Sequence, residues 1–273
     1  MSSEYPDLLL GKDVPPAEGY APHLLTPIAR ALGRRDLDAS ILAQCRGVDV
    51  WHAYELSWLA SGGVPQVSVG QLSVASDSPN MVESKSLKLY FNSLNSAHFA
   101  SPEAFCAVVE RDLSQVAGAP VGLTLMDVNM VPINSADSTA LCLDYLQPTP
   151  IPQSPDASLL RLTGAIAHNQ CVYSHLMRSL CPVTGQPDWA TLWLRYSGPE
   201  IDATSLLAYL LGFREHQEFH EQCIERIFCD VYAACSPTEL EVQGSYLRRG
   251  GLDINPYRTT RSAGQPWPRV ARQ

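Results

Sequence analysis

Three short segments carry the residues best suited to chemistry. Cys181-Pro182-Val183-Thr184-Gly185-Gln186-Pro187-Asp188-Trp189 places a thiol and a carboxylate on one turn punctuated by Gly and Pro. A thiol attacks only as its thiolate, and a carboxylate close by can take its proton and return it later. Glu83-Ser84-Lys85-Ser86-Leu87-Lys88-Leu89-Tyr90 crowds a carboxylate, hydroxyls and two cations at what reads as a helix start. Backbone N–H groups also point outward at such a terminus and can hold a phosphate. Phe219-His220-Glu221 lies within an apolar helical pattern. There a carboxylate beside an aromatic can grip paired N–H donors of a purine-like edge, while His220 can move a proton.

Each segment also has a plain structural reading. Cys181 can be a small buried hydrophobe, with Asp188 a turn residue. The Glu83 segment can be a solvated helix with a charged first turn. His220 can be a partly buried core histidine beside a surface Glu221. His216 and His220, four apart on one helix face, with His168, Cys171 and His175 nearby, supply enough N and S donors for a zinc site. No strict ligand spacing supports that site, and no metal is expected. The chain has neither GxGxxG nor GxxxxGK[ST], so a dinucleotide cannot be bound by a Rossmann turn or a P-loop.

The elements that must position these segments read as one order given twice in the chain. Residues 1–40 read as an N-terminal arm with a short helical stretch near Leu24 to Leu32. Strands follow at Val48 to Leu59 and Gln66 to Leu72, then helices at about Ser84 to Leu94 and from Ser101-Pro102-Glu103, where Ser caps and Pro suits the first turn. Strands return at Val121 to Val128 and near Ala140 to Tyr145. The Pro-rich stretch at 148–156 reads as a linker. Beyond it the order repeats: strands at Leu159 to Ala167 and Trp189 to Arg195, a break at Gly198-Pro199, helices at Ala203 to Leu211 and Gln217 to Ala234, and strands at Leu240 to Tyr246 and beyond Gly251. The expected class is α+β, with antiparallel modules at 41–147 and 157–273, each ordered ββααββ.

Composition bounds the function. A chain of 273 residues with 45% hydrophobic and 17% charged residues can bury a sizeable core. Its net charge of −9 argues against a nucleic-acid partner, which needs clustered Lys and Arg. No apolar run approaches the roughly 18 residues of a membrane span, and Met1 to Asp13 lacks the pattern of a leader. Eight cysteines without a CxxC fit free thiols in a reducing cytoplasm better than a disulfide framework.

Taken together, the motifs resemble the 7-cyano-7-deazaguanine reductases in their long, two-module form. Glu83 to Tyr90 is similar to the signature helix of that family and Cys181 to Asp188 to its nucleophile loop. Phe219-His220-Glu221 resembles its substrate-recognition segment, and Tyr246-Leu247-Arg248-Arg249-Gly250-Gly251-Leu252-Asp253-Ile254-Asn255-Pro256 its cofactor segment. The resemblance covers nearly the whole chain. It implies tandem tunnelling-fold modules, a homodimer, and reduction of a nitrile to an aminomethyl group in queuosine biosynthesis for tRNA modification. By that resemblance Cys181 is the nucleophile that forms a thioimide, Asp188 the proton donor, and His220 a further catalytic group. Val82, Glu83, Ser84, Phe219, His220 and Glu221 would bind the substrate, while Ser84, Lys85, Arg249 and Gly250 would contact NADPH. Two other classes stay open on the residues alone: a zinc-dependent cyclohydrolase-like enzyme acting on a purine or pterin, and a non-catalytic purine-binding module.

Overall fold

The computed structural model describes residues 8–12, 19–126, 139–149, 151–270 and 273. In chain order its elements are β1 (Pro27–Ala29), α1 (Arg30–Gly33), α2 (Ala39–Leu42), β2 (Arg46–Leu59), β3 (Pro65–Ala75), β4 (Asn80–Val82), α3 (Ser84–Ser93), α4 (Pro102–Ala117), β5 (Val121–Met126), β6 (Leu141–Cys142), β7 (Leu162–Ser174), β8 (Arg178–Leu180), β9 (Pro187–Ile201), α5 (Ala203–Leu211), α6 (His220–Cys235), β10 (Glu239–Tyr246) and β11 (Leu252–Thr259). The class is mixed α+β with predominantly antiparallel pairing, and β6 and β7 pair in parallel. The chain packs as two compact units.

The first unit draws its described residues from Met1–Leu32, Val48–Pro132 and Arg248–Ile254. Its strands run β5-β3-β2, with the register of β2 on β3 shifting between Ala53 and Leu56. At that bulge the Tyr54 N–H donates to the Gly251 carbonyl at 2.9 Å. Helices α3 and α4 supply Leu87, Tyr90, Phe91, Phe105, Val109 and Leu113 to a core shared with Trp51, Trp58 and Leu72. Trp58 and Phe105 stack there at 4.5 Å between ring centres. Ser101 caps α4 by accepting from the Ala104 N–H, as the sequence leads one to expect, and Gly118 ends the helix at φ +71°.

The second unit comprises the described residues of Gly33–Gly47, Ile133–Leu247 and Asn255–Gln273. Its strands run β11-β10-β9-β7-β6, with β8 hairpinned onto β9. From β7 onward, β8 apart, the elements follow the order ββααββ. Helices α5 and α6 bury Leu206, Leu210, Cys223, Ile224, Ile227 and Phe228 against Leu192, Leu194, Leu240 and Val242 of the sheet. Apolar side chains at this spacing on α6 are what the helical pattern requires.

Several elements depart from the sequence reading. The helical stretch expected near Leu24 to Leu32 is instead a 3-10 turn at Pro22–Leu24, the strand β1, and helix only from Arg30. Pro27 accounts for this, because it lacks an N–H and holds the residue before it extended. Gly198-Pro199 does not break β9, which continues to Ile201. Pairing with β10 reaches only Ser197, so Pro199 owes no N–H on that side. Gly198 sits at φ +133°, and a β-carbon there would lie 3.0 Å from the Pro237–Thr238 backbone. Within the expected strand near Ala140 to Tyr145, only Leu141–Cys142 is extended, and it joins β7 of the second unit rather than the first unit. Likewise 33–47 belong to the second unit and 248–254 to the first, against the sequential division at 40/41 and 147/148. The expected end of β5 at Val128, and Pro150 of the linker, lie outside the described residues.

Candidate active site

In the second unit the β8–β9 hairpin carries the thiol and the acid. Ser179 is paired with Asp188, and one further bond, Cys181 N–H to the Gln186 carbonyl at 2.9 Å, extends the ladder to the turn. Alternation of side chains then puts Cys181 and Asp188 on one face as diagonal neighbours, a relation that brings Cβ atoms to about 7–8 Å or less. The turn closes through Gly185 N–H to the Cys181 carbonyl at 2.9 Å, with Gly185 at φ +67°, a left-handed conformation that glycine adopts without strain. The Thr184 N–H points at Cys181 Sγ at 3.5 Å. Such a contact strengthens as the sulfur becomes negative.

The lead-in to α6 lies beside this hairpin. Leu180 N–H donates to the His216 carbonyl at 2.8 Å, and Leu180 bridges Gln217 in parallel. Residues 216–218 are therefore extended, and α6 begins at His220 rather than at the expected Gln217. Phe219 is the N-cap residue, its N–H taken by Gln222 Oε1 at 3.1 Å. His216 and His220 consequently do not share a helix face. His216 Nε2 lies 3.0 Å from Glu218, whereas His220 Nε2 lies 3.3 Å from Asp188 Oδ2. Glu221 is buried in the first turn of α6, where the positive end of the helix dipole favours a carboxylate. One turn on, Glu225 is held by Arg34 at 2.6 and 2.9 Å and by the fully buried Arg258 at 3.0 and 3.1 Å, which pins the helix.

The three cysteines of α6 divide from Cys181 by environment. Burial pushes the Cys223 thiol well up, that of Cys229 up to about 12 and that of Cys235 up to about 11. These groups stay protonated and inert. Cys181 is half-buried on an open turn. Among the described residues, no group of three or more His, Cys, Asp or Glu side chains could hold a metal ion.

In the first unit, β1 and β4 form a short ribbon that delivers Val82 and Glu83 to the start of α3. Val82 is buried in the core, and Ser84 and Lys85 are half-buried. Glu83 is the N-cap: its carboxylate accepts from Lys85 N–H at 2.8 Å and from Ser86 N–H at 2.7 Å. The sequence reading offered those N–H groups to a phosphate, and that reading is corrected here, since Glu83 already satisfies both. Burial pushes the Glu83 carboxyl up, against the pull of the two N–H bonds. Lys85 and Lys88 are the groups of this helix that could meet an anion. Lys85 Nζ donates to the Lys12 carbonyl.

The Arg249–Leu252 turn in the same unit is closed by Arg249 N–H to Leu252 O at 2.8 Å and Leu252 N–H to Arg249 O at 3.0 Å. Gly250 and Gly251 sit at φ +56° and +79°. A β-carbon on Gly250 would approach Lys88 Cδ to 3.0 Å, and one on Gly251 would run into Glu55 at 2.4 Å. Gly250 therefore lets Lys88, and Gly251 lets Glu55, lie against the backbone of the turn. Arg248 stacks on Tyr54 at 4.4 Å, Tyr54 Oη donates to Asp253 at 2.5 Å, and His52 Nδ1 meets Asp253 at 2.8 Å. Lys85, Lys88, Arg248 and Arg249, with an exposed glycine turn, make a donor set of the right sign for the phosphates of a dinucleotide. Sequence reasoning quoted Lys88 without giving it a role and overlooked His52 and Tyr54. Nothing in linear spacing joins β2 to a turn some two hundred residues later.

Comparison with known proteins places this arrangement in a class. A family model described as "Nitrile reductase, 7-cyano-7-deazaguanine-reductase N-term" matches residues 17–125, and one described as "QueF-like protein" matches residues 187–265. The proteins named NADPH-dependent 7-cyano-7-deazaguanine reductase from Acinetobacter baumannii (strain AYE) and Acinetobacter baylyi are each 47% identical to the chain, over 267 and 268 residues. Both alignments cover 97% of this chain and 98% of the relative. The chain belongs to the NADPH-dependent 7-cyano-7-deazaguanine reductase family.

Proposed function

We propose that the chain reduces the nitrile of 7-cyano-7-deazaguanine to an aminomethyl group with NADPH, in queuosine biosynthesis, through a covalent bond to Cys181. The observation that carries the covalent step is the β8–β9 hairpin, which sets a half-buried thiol and a buried carboxylate on one face with His220 on that carboxylate. A nitrile carbon accepts hydride poorly until it is polarised. Addition of the Cys181 thiolate forms a C–S bond while the nitrogen takes a proton from Asp188, giving a thioimidate with a far more electrophilic carbon. NADPH supplies one hydride for each of two reductions. Once the carbon has been reduced, the C–S bond breaks, Cys181 leaves as thiolate, and an imine remains for the second reduction. Two hydrides and two protons thus convert the nitrile to the amine.

Glu221 and Glu83 take the role of acceptors for the N–H edge of the deazaguanine, beside Val82, Ser84, Phe219 and His220. Ser84, Lys85, Arg249 and Gly250 take the phosphates of NADPH, with Lys88 added to the set from its approach to Gly250. Tandem tunnelling-fold modules, a homodimer and a cytoplasmic location complete the reading. The ββααββ order of the second unit supports the fold. Stoichiometry tests the activity: two NADPH should be consumed per nitrile, with an aminomethyl product and no loss of rate in chelator. One bound zinc per chain with chelator-sensitive turnover and no NADPH consumption would favour a cyclohydrolase-like enzyme instead.

A further inference from the structure

His220 opens α6, so no preceding helical turn packs against its side chain. Its contact with Asp188, at 3.3 Å between single atoms, leaves the plane of the imidazole free to rotate about that line. The plane is fixed from below. Tyr246 lies face to face with His220, ring centres 3.9 Å apart and planes at 17°. Tyr246 ends β10 opposite Ala190 of β9, two residues from Asp188 and on the same side of the sheet. Its ring has no exposed surface. Its hydroxyl is buried without a hydrogen-bond partner among the described residues, so the ring is held by packing and by the strand that carries it. The platform under His220 is tied to the strand bearing Asp188 by main-chain pairing, Tyr246 with Ala190 and Leu247 N–H to the Trp189 carbonyl at 2.9 Å.

We propose that Tyr246 is a positioning residue, its ring being the platform that holds the His220 imidazole edge-on to Asp188. The electron-rich face of the phenol tolerates both the neutral and the protonated imidazole. Burial pushes the Tyr246 hydroxyl well up, so no second negative charge competes with Asp188 beside it. The inference rests on the reading of Asp188 and His220 as proton-handling groups. It adds a residue that touches neither the nitrile nor the thiol.

The test compares wild type, Tyr246→Phe and Tyr246→Leu by two readouts. The first is the His220 ring-proton NMR resonance, assigned with His220→Gln, which a stacked aromatic ring displaces upfield. The second is the rate at which the cyano substrate adds to Cys181 without NADPH. Wild type and Tyr246→Phe should share the upfield resonance and the addition rate. Tyr246→Leu should lose the displacement and add about 10²-fold more slowly, the scale on which small misplacement of a reacting group acts, with substrate affinity unchanged. A folded Tyr246→Leu that adds at the wild-type rate overturns the proposal, as does a Tyr246→Phe that falls as far as Leu. Should the Leu variant not fold, an undisplaced His220 resonance in wild type overturns it, and a displaced one kept in Tyr246→Phe sustains it. Absence of any adduct in wild type would sink the nitrile reading, while the resonance comparison would still decide the platform.

Discussion

Replacing Asp188 by Asn keeps the shape of the side chain and removes its acid. The backbone of the hairpin does not depend on it, since the ladder bonds of Arg178, Ser179 and Leu180 to β9 are made by main-chain groups. Asn can still present Oδ1 to His220 Nε2, so the 3.3 Å contact survives in neutral form. What is lost is a proton delivered to nitrogen as sulfur attacks carbon. General acid–base help is worth about 10²–10⁴-fold, which at 1.36 kcal/mol per decade is about 2.7–5.5 kcal/mol of barrier. Adduct formation on Cys181 should slow by that factor in single-turnover experiments quenched for intact mass. Substrate affinity, titrated in a Cys181→Ala background to block addition, should stay as it was. An Asp188→Asn enzyme that forms adduct at the wild-type rate, or one that no longer binds the nitrile, would refute the assignment of Asp188 as proton donor.

Two other substitutions probe binding and stability. Glu221→Leu removes a buried charge-assisted acceptor and should weaken substrate binding by about 1.5–3 kcal/mol, roughly 10- to 150-fold, with Cys181 still open to a small alkylating agent; unchanged affinity in a titration would remove Glu221 from the site. Glu218 accepts from Arg226 Nε at 2.9 Å and sits 3.0 Å from His216. Burial alone would raise its carboxyl, but those two partners together hold it below the usual carboxylate range. A depressed folded value means stability present above the unfolded pKa of about 4.3 and lost as pH falls through the folded value. Glu218→Gln should therefore cost about 1.5–3 kcal/mol in urea unfolding at pH 7, and the difference from wild type should shrink as pH drops below about 4. An equal difference at both pH values would contradict this account.

Much of the fold was legible because local signals decided it. Ser101-Pro102 starts α4, and the apolar spacing of Cys223, Ile227 and Val231 sets the buried face of α6. The failures were places where a distant partner overrode local preference. Gly198-Pro199 reads as a break, yet β7 pairs through both positions while β10 has already ended. Leu141–Cys142 carries no mark of which sheet it joins. The candidate site residues drew notice by type and spacing, and their proposed roles came from the family resemblance. Their supports drew none: Tyr246 under His220, Arg34 and Arg258 on Glu225, and Lys88 against Gly250 are each set by contacts between segments far apart in sequence. The use of Glu83 as a helix cap carried little local mark, since Asp, Asn, Ser and Thr rather than Glu are the preferred caps.

Covalent addition at Cys181 is the central claim, and intact mass tests it most directly. Wild-type chain mixed with 7-cyano-7-deazaguanine and no NADPH should gain one substrate mass, and Cys181→Ala should gain none, although it still binds the ligand. Seven other cysteines serve as internal controls, and peptide mapping should place the added mass on the turn between β8 and β9. A wild-type mass left unmodified under saturating ligand, or an added mass that persists in Cys181→Ala, would contradict the account.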